Sequence, residues 1–299
     1  MRSELILVFI LSVAVDRLFG EPPDAIHPTV FMGKVIEFME RRNLSGAFIF
    51  LAITLSFSLP TFFVLRTLSG ALKLIVAVLV LKTTFSWRGL RDYTLPITKA
   101  VEKGDIAKAR EGLPFIAGRD PEKLDFKGIL STVVESIAES SVDGIISPFF
   151  YFFLFSFISL EAGVAAAVFF RAVNTLDSML GLPGNPKGYL SAKVDELFNL
   201  LPARIEALFL LFGSLVLRKH AKRGLAIFKR DRNITKSRNA GQTMSVMAGV
   251  LGVRLEKEGD YAIGDPVVAL TTEHIYEALK IVDVQVIVFA ALMVISWMM

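Results

Sequence analysis

The chain has 299 residues, 53% of them hydrophobic and 21% charged, with a mean hydropathy of +0.56. That is too apolar for one soluble core of this length, so lipid has to be part of the solvent and the charges have to gather between apolar segments. With no cysteine, disulfide, thiolate and zinc–thiolate chemistry are excluded. His27, His220 and His274 lie too far apart for a ligand motif such as HExxH, and a net charge of +4 fits the basic loops of a membrane protein better than a nucleic-acid surface.

Taken in chain order, Leu5 to Val15 is nearly all apolar and reads as a retained first helix, because Asp16 and Arg17 follow at once with no A-x-A cleavage site. The loop GEPPDAIHPTVFMG holds Gly20, Pro22, Pro23 and Pro28 around His27. Such a turn fixes the backbone and leaves His27 either to present its imidazole or to act as a structural donor. Asn43 to Leu65 carries no charge and is long enough to cross a hydrocarbon layer of ~30 Å. Leu68 to Trp87 follows after a tight connection as the second arm of a helical hairpin, in which Lys73 and Lys82 have to snorkel or face protein. Leu90 to Lys127 is a polar helical insertion carrying a GRD tripeptide at Gly118 to Asp120. Gly144 to Leu160 and Ala162 to Leu180 are further apolar candidates, Ile205 to Leu217 is short for a span, and Val284 to Met299 is the final helix.

The basic segments set the orientation. Arg218 to Arg238 holds nine Lys or Arg against one acid, Asp231, and the Lys82 to Lys127 region is also basic, so both belong on the cytoplasmic side, with the N-terminus outside. Three spans between Lys127 and Arg218 would put these two regions on opposite faces. One of the three, Ile205 to Leu217, is therefore expected to be re-entrant or interfacial. The resulting expectation is an all-α, polytopic helical membrane protein with about five or six hydrophobic helices. It forms a single membrane-embedded domain over 1–299, with 88–128 and 218–280 as polar cytoplasmic-side segments.

The densest chemistry lies in ILSTVVESIAESSVDGII, Ile129 to Ile146. Apolar residues at 129, 130, 133, 134, 137 and 138 form one helix face, and Glu135, Ser136, Glu139 and Ser140 the other, with Asp143 just beyond. Like charges at i,i+4 repel by ~0.2–0.5 kcal/mol, and no Lys or Arg occurs between Lys127 and Arg171. A divalent cation, Mg²⁺, answers that need, since it prefers carboxylate oxygen and also holds phosphates. The alternative is a solvated acidic face. In Ala162 to Leu180, Arg171, Asn174, Asp177 and Ser178 occupy about a third of the helix circumference, a polar stripe turned to protein or water, or an Arg–Asp pair that fixes packing. Asp195 and Asn199 form an i,i+4 pair ahead of Pro202 and Arg204. In KRDRNITKSRNAGQ, Ser237 or Asn239 can cap a helix running through Met244 and Met247. Lys229, Arg230, Lys236 and Arg238 beside that N-terminus make a phosphate site, unless they are simply the positive-inside loop. There is no Walker A loop, Rossmann glycine motif or GxSxG elbow.

Read together, GEPPxxxHPxxxxGKVI, AGRD, VESIAESSVDG, RAVNTLDSMLG, VDELFNLLPAR and NAGQTMSVMAGVLGVRL stand in the order found in the membrane-bound cobalamin biosynthesis ligases, and the chain resembles that CobD/CbiB family from Asp16 to about Leu279. The resemblance implies an adenosylcobinamide-phosphate synthase in the cell (inner) membrane, with its active site facing the cytoplasm. Such an enzyme uses ATP and Mg²⁺ to join (R)-1-amino-2-propanol phosphate, or the free amino alcohol, to the f propionate of adenosylcobyric acid through an amide bond. Carried over, Glu135, Glu139 and Asp143 hold the metal. Asp177 or Asp195 takes the proton of the attacking amine, with Arg171 and Asn174 in the catalytic set, and His27, Arg119, Asn199, Arg204, Arg230, Arg238 and Asn239 bind substrate or phosphate. Asp231 also matches the pattern. Ser140 stands where the family has asparagine, Glu21 where it has aspartate, and Arg238, Gln242 and Met244 where it has proline, tryptophan and glutamate. The implied surroundings are the lipid bilayer and no nucleic acid, with a homo-oligomer left open. A membrane transporter and a non-catalytic membrane sensor of the AmpE type are the competing readings.

Overall fold

The computed structural model describes residues 2–182 and 184–299. Its helices are α1 (Arg2–Phe19), α2 (Pro28–Arg41), α3 (Gly46–Thr67), α4 (Gly70–Lys82), α5 (Trp87–Glu102), α6 (Ile106–Gly112), α7 (Phe126–Ser141), α8 (Ser147–Ser156), α9 (Leu160–Leu180), α10 (Tyr189–Phe198), α11 (Leu200–Val216), α12 (Ala221–Asp231), α13 (Ala240–Leu251) and α14 (Thr272–Met298). A π-helical turn, Val142–Ile146, joins α7 to α8. The all-α expectation holds with one addition, an antiparallel hairpin of β1 (Leu255–Lys257) and β2 (Tyr261–Ile263) in which Leu255 faces Ile263 and Lys257 faces Tyr261. Its turn is closed by Gly259 at φ 74°, a conformation that costs glycine nothing.

Local chemistry sets the helix starts. Ser45, Asp125 and Ser159 accept hydrogen bonds from the backbone N–H groups of Phe48, Gly128 and Ala162 and so satisfy donors that open helix ends leave over. His27 does the same for Thr29, ahead of Pro28 in the first turn. At the other end of α13, Gly252 takes the left-handed conformation at φ 73° and closes the helix.

Among the described residues, four helical stretches are long and apolar enough to cross a membrane: Gly46–Thr67, Gly70–Glu102, Phe126–Ser156 and Thr272–Met298. The pair Pro186–Phe198 and Leu200–Val216 passes the same test only together and bends by 43°, the shape of a broken span or a re-entrant loop. Helix α9 carries Glu161, Arg171 and Asp177 and stands outside that set.

The chain divides into two compact units, one of residues 2–88, 143–199 and 292–299, the other of 89–142 and 200–291. In the first, α9 packs against α2, α3, α8 and α10, and Met32, Ile36, Ile49, Ile53, Val173 and Leu176 form a buried cluster around it, each such side chain contributing about 1.5–3 kcal/mol. A second, aromatic cluster sets Phe9 edge-on to Phe149 and to Trp297 at 4.9 and 5.6 Å, and the Trp297 indole N–H donates to Ser156 Oγ at 2.9 Å. Both lysines of α4 face protein. Lys73 pairs with Glu161 at 2.6 Å, and Lys82 lies 3.2 Å from Asp16 and 3.0 Å from Glu21. In the second unit α13 is buried along its whole length against α7, α11 and α12. Glycines permit that approach: a Cβ on Gly249 would meet the Gly224 Cα at 2.8 Å. Within the same unit the fully buried Glu206 accepts hydrogen bonds from Ser141 and, at 3.0 Å, from Gln285.

Candidate functional site

Each unit carries one polar centre built largely from the residues singled out in the sequence. In the second unit, the loop at Ile116 to Arg119, the polar face of α7, the segment Thr235 to Ser237, the first residue of α13 and the β-hairpin together line a cavity of about 320 Å³. Arg119, Lys236 and Lys257 bring positive charge to it, and Glu135, Glu139 and Asp260 bring negative charge. Asp125 starts α7 and Ser136 Oγ donates to the Ile116 carbonyl at 2.9 Å, which holds the Arg119 loop against the helix. Arg119 pairs with Glu135, whose other hydrogen bonds come from Ser131 at 2.6 Å and Tyr261 at 2.6 Å. Burial and the Glu135 carboxylate push the Tyr261 phenol well above its usual value of 10, so it is a donor at any ordinary pH.

The expectation that Glu135, Glu139 and Asp143 form one uncompensated metal cage is therefore corrected. Arg119 supplies the counter-charge from a loop, which a scan of the helix for lysine and arginine could not find. The π turn Val142–Ile146 ends the α-helical phase before the position of Asp143, and Glu135 and Glu139 line the cavity. Among the described residues, no group of three or more His, Asp or Glu is placed to hold a metal ion. A phosphate-borne Mg²⁺ needs less, since it keeps several waters and takes one or two carboxylates together with phosphate oxygens. Glu139 fits that role: it lines the cavity, and its carboxylate makes no side-chain hydrogen bond or ion pair among the described residues.

The basic segment before α13 divides in its roles. Asn239 holds the N-cap position without a side-chain cap bond, and Ser237 Oγ accepts from the N–H groups of Asn239 and Ala240 at 3.3 and 3.2 Å in its place, while Asn239 receives the Arg204 guanidinium at 3.4 Å. Lys236 reaches the cavity. Arg230 does not line it; its guanidinium is held by Asp231 at 2.6 Å and Asp265 at 3.0 Å. The Arg230 guanidinium beside Asp231 in turn holds that carboxyl below its usual range, and Asp231 accepts the Gly264 N–H at 2.8 Å, tying the end of the hairpin to α12. Arg238 is engaged elsewhere and is absent from the cavity lining.

In the first unit, Asp195 accepts from Asn174 at 3.2 Å and from Asn199 at 2.9 Å, and Ser147 donates to Asn199 Oδ1 at 2.6 Å. The i,i+4 spacing joins Asp195 to Asn199, and the packing of α10 on α9 brings Asn174 to them. Both oxygens of Asp195 are tied down, whereas no side-chain hydrogen bond reaches Asp177 among the described residues. His27 holds the turn through both ring nitrogens: Nδ1 accepts from Thr29 N–H at 3.1 Å, and Nε2 lies 2.9 Å from Glu21 Oε2. Burial acts to raise the Glu21 carboxyl, but His27, Ser86 and Lys82 outweigh it and hold it at about 2. Lys257, Asp260 and Tyr261 were not singled out from sequence, where they stand as ordinary polar residues of a hairpin-forming segment.

A polytopic helical membrane protein with a buried carboxylate–carboxamide network and a separate polar, cation-lined cavity defines the class. The CobD/Cbib protein family matches residues 9–285, and the chain belongs to that family. It is 35% identical to the cobalamin biosynthesis protein CobD of Dehalococcoides mccartyi, over 94% of this chain and 93% of the relative. Against the probable cobalamin biosynthesis proteins CobD of Methanothermobacter thermautotrophicus and Methanocaldococcus jannaschii the identities are 34% and 31%, over 94% and 97% of this chain and 94% and 98% of theirs. No solved structure matches it.

Proposed function

We propose that the chain acts in cobalamin biosynthesis as an ATP-dependent amide ligase, joining aminopropanol, as its phosphate, to the f propionate of adenosylcobyric acid at the cytoplasmic side of the cell membrane. The observation that carries this reading is the cavity of the second unit, where Arg119, Lys236 and Lys257 share the lining with Glu139. A carboxylate is a poor acyl donor until one oxygen becomes a leaving group, and the ATP phosphates with Mg²⁺ supply that activation when bound.

The chain's own side chains account for the binding. Lys236 and Lys257 pair with Asp260 at 3.1 and 3.4 Å while their side chains are 87% and 46% exposed. Such exposed pairs are worth about 0–1 kcal/mol, so a phosphate chain exchanges with Asp260 at little cost. Glu139 stands ready to share a divalent cation with those phosphates, and Arg119, fixed by Glu135 and Tyr261, keeps its charge in place without reorganising. In the first unit Asp177 is the residue proposed to take the proton from the attacking amine, beside an Asp195 immobilised by Asn174 and Asn199.

The test replaces Glu139 by glutamine in membranes and follows amide formation as Mg²⁺ is lowered. The expected outcome is a loss of at least about tenfold that deepens at limiting Mg²⁺; wild-type activity at limiting Mg²⁺ removes the metal role. ATP hydrolysis that requires the corrinoid acid separates the ligase from a transporter. The sensor reading requires Glu139→Gln to be silent.

A further inference from the structure

In the second unit a basic helix follows directly where an apolar one ends. Helix α11 shows an apolar stripe at Leu208, Phe212 and Leu215, which are 63%, 49% and 60% exposed. These positions recur at i, i+4 and i+7 and so share one helix face, and a bare stripe of that kind belongs against lipid. It lasts to the exposed Val216, where α11 ends. Arg218 and Lys219 come next, and α12 begins at Ala221. Even fully extended, the connection would reach about 17 Å, and it is wound tighter than that: the Lys219 N–H donates to the Ser214 carbonyl at 2.7 Å and the Ala221 N–H to the Lys219 carbonyl at 2.9 Å.

A second element marks the same level. Lys280 is the last basic residue of α14, and beyond it that helix carries a single charge, Asp283. Lys219 pairs with Glu277, one turn before this apolar run, at 2.5 Å. The lipid-facing end of α11 and the polar start of a membrane-length helix are therefore tied together beside the first turn of α12, which has no slack to leave the bilayer surface.

The faces of α12 suit that place. Ala221, Gly224, Ile227 and Asp231 are buried, on the side packed against α13 and α11. The opposite side holds Lys222, Leu225, Ala226 and Lys229, all exposed. Lys222 and Lys229 are seven residues apart and so point about 20° from each other around the helix, with Leu225, 40% exposed, between them. Neither lysine makes an ion pair among the described residues, and the only acid of the helix, Asp231, is buried and taken by Arg230. Two uncompensated ammonium groups around an apolar side chain match phosphates lying over hydrocarbon. An acidic protein would answer the lysines but leave Leu225 and the neighbouring stripe in water.

We propose that α12 lies on the membrane surface with Lys222 and Lys229 on the headgroups of anionic lipid and Leu225 inserted between them. The inference goes beyond the ligase reading and does not depend on it. It also reaches the cavity from outside, because α12 runs on through Arg232, Asn233 and Ile234 into Thr235, Lys236 and Ser237, which line it.

The experiment reconstitutes the full chain carrying Leu225→Trp into vesicles of phosphatidylcholine with about one phosphatidylglycerol in five. Two preparations hold the same fraction of lipid with brominated chains, in one the phosphatidylglycerol and in the other part of the phosphatidylcholine. Quenching of Trp87 and Trp297, measured in the parent protein, is subtracted. Brominated phosphatidylglycerol is expected to quench the introduced indole at least about twofold more than brominated phosphatidylcholine. That excess is expected to vanish in Lys222→Gln/Lys229→Gln on the same background, to persist in Lys222→Arg/Lys229→Arg, and to shrink at about 1 M salt, where charges are screened within about 3 Å. Equal quenching by the two lipids puts α12 on the bilayer without selecting anions and overturns the proposal. So does the absence of quenching by either, which takes α12 off the membrane, and so does an excess that survives both glutamines.

Discussion

Replacing Glu21 by glutamine isolates the charge that holds the N-terminal loop against α4. Glu21 Oε2 accepts from His27 Nε2 at 2.9 Å and lies 3.0 Å from Lys82 Nζ, and its side chain is 22% exposed. A carboxyl held at about 2 instead of 4.5 contributes about 3 kcal/mol, an order-of-magnitude figure. Because the folded value is the lower one, that stability is fully present above pH 4.5 and is lost as the pH falls towards 2. Protonation would leave Lys82 buried with Asp16 alone. The assay is thermal unfolding of the detergent-solubilised protein, by circular dichroism, between pH 6 and pH 2. Wild type is expected to exceed Glu21→Gln by on the order of 5 °C at pH 6, and the two curves are expected to converge as the pH drops through that window. Parallel curves, with a gap that ignores pH, would show that Glu21 contributes shape and no charge.

Three further outcomes follow from the packing. Gly188→Ala would bring a Cβ to 1.8 Å from the Leu180 carbonyl oxygen, so folded protein should vanish from size-exclusion profiles in detergent; normal yield refutes the contact. Lys73→Met leaves Glu161 buried at 5% exposure without its partner, an expected loss of about 3 kcal/mol, and adding Glu161→Gln should recover most of it, as read from a double-mutant cycle of unfolding temperatures. Tyr261→Phe removes the donor to Glu135 and the acceptor for Arg119 at 3.0 Å. It should destabilise the second unit by about 1–3 kcal/mol, equally at pH 6 and pH 9 because the phenol stays protonated throughout.

What the sequence revealed, and what it hid, follows from the range of each interaction. Asn43 to Leu65 is uncharged and became α3 with its end moved by two or three residues, because hydrophobic length is a property of a contiguous segment. The Asp195–Asn199 pair was legible from i,i+4 spacing, and the start of α13 at Ser237 or Asn239 from cap chemistry; that Asn174 joins Asp195 from another helix, 21 residues away, was not. The partner of Glu135 was not, since Arg119 lies 16 residues away across two turns, and neither was Tyr261, which is 126 residues distant. Lys82 read as a residue that snorkels or faces protein, and it faces protein, but the sequence could not name its two carboxylates, which come from α1 and the GEPP loop. The proline-rich turn was legible as rigid; that His27 spends both nitrogens keeping it so required the ring's orientation.

The wide turn at Val142–Ile146 bears on any helical-wheel reading of this segment. An α-helix advances about 100° per residue, whereas a turn closed by i→i+5 bonds takes in one residue more before it comes round. Side chains on either side of it therefore keep separate clocks, and a single hydrophobic run from Phe126 to Ser156 can present polar groups in two directions without a loop between them. Deleting one residue from the bulge would put both halves on the same clock.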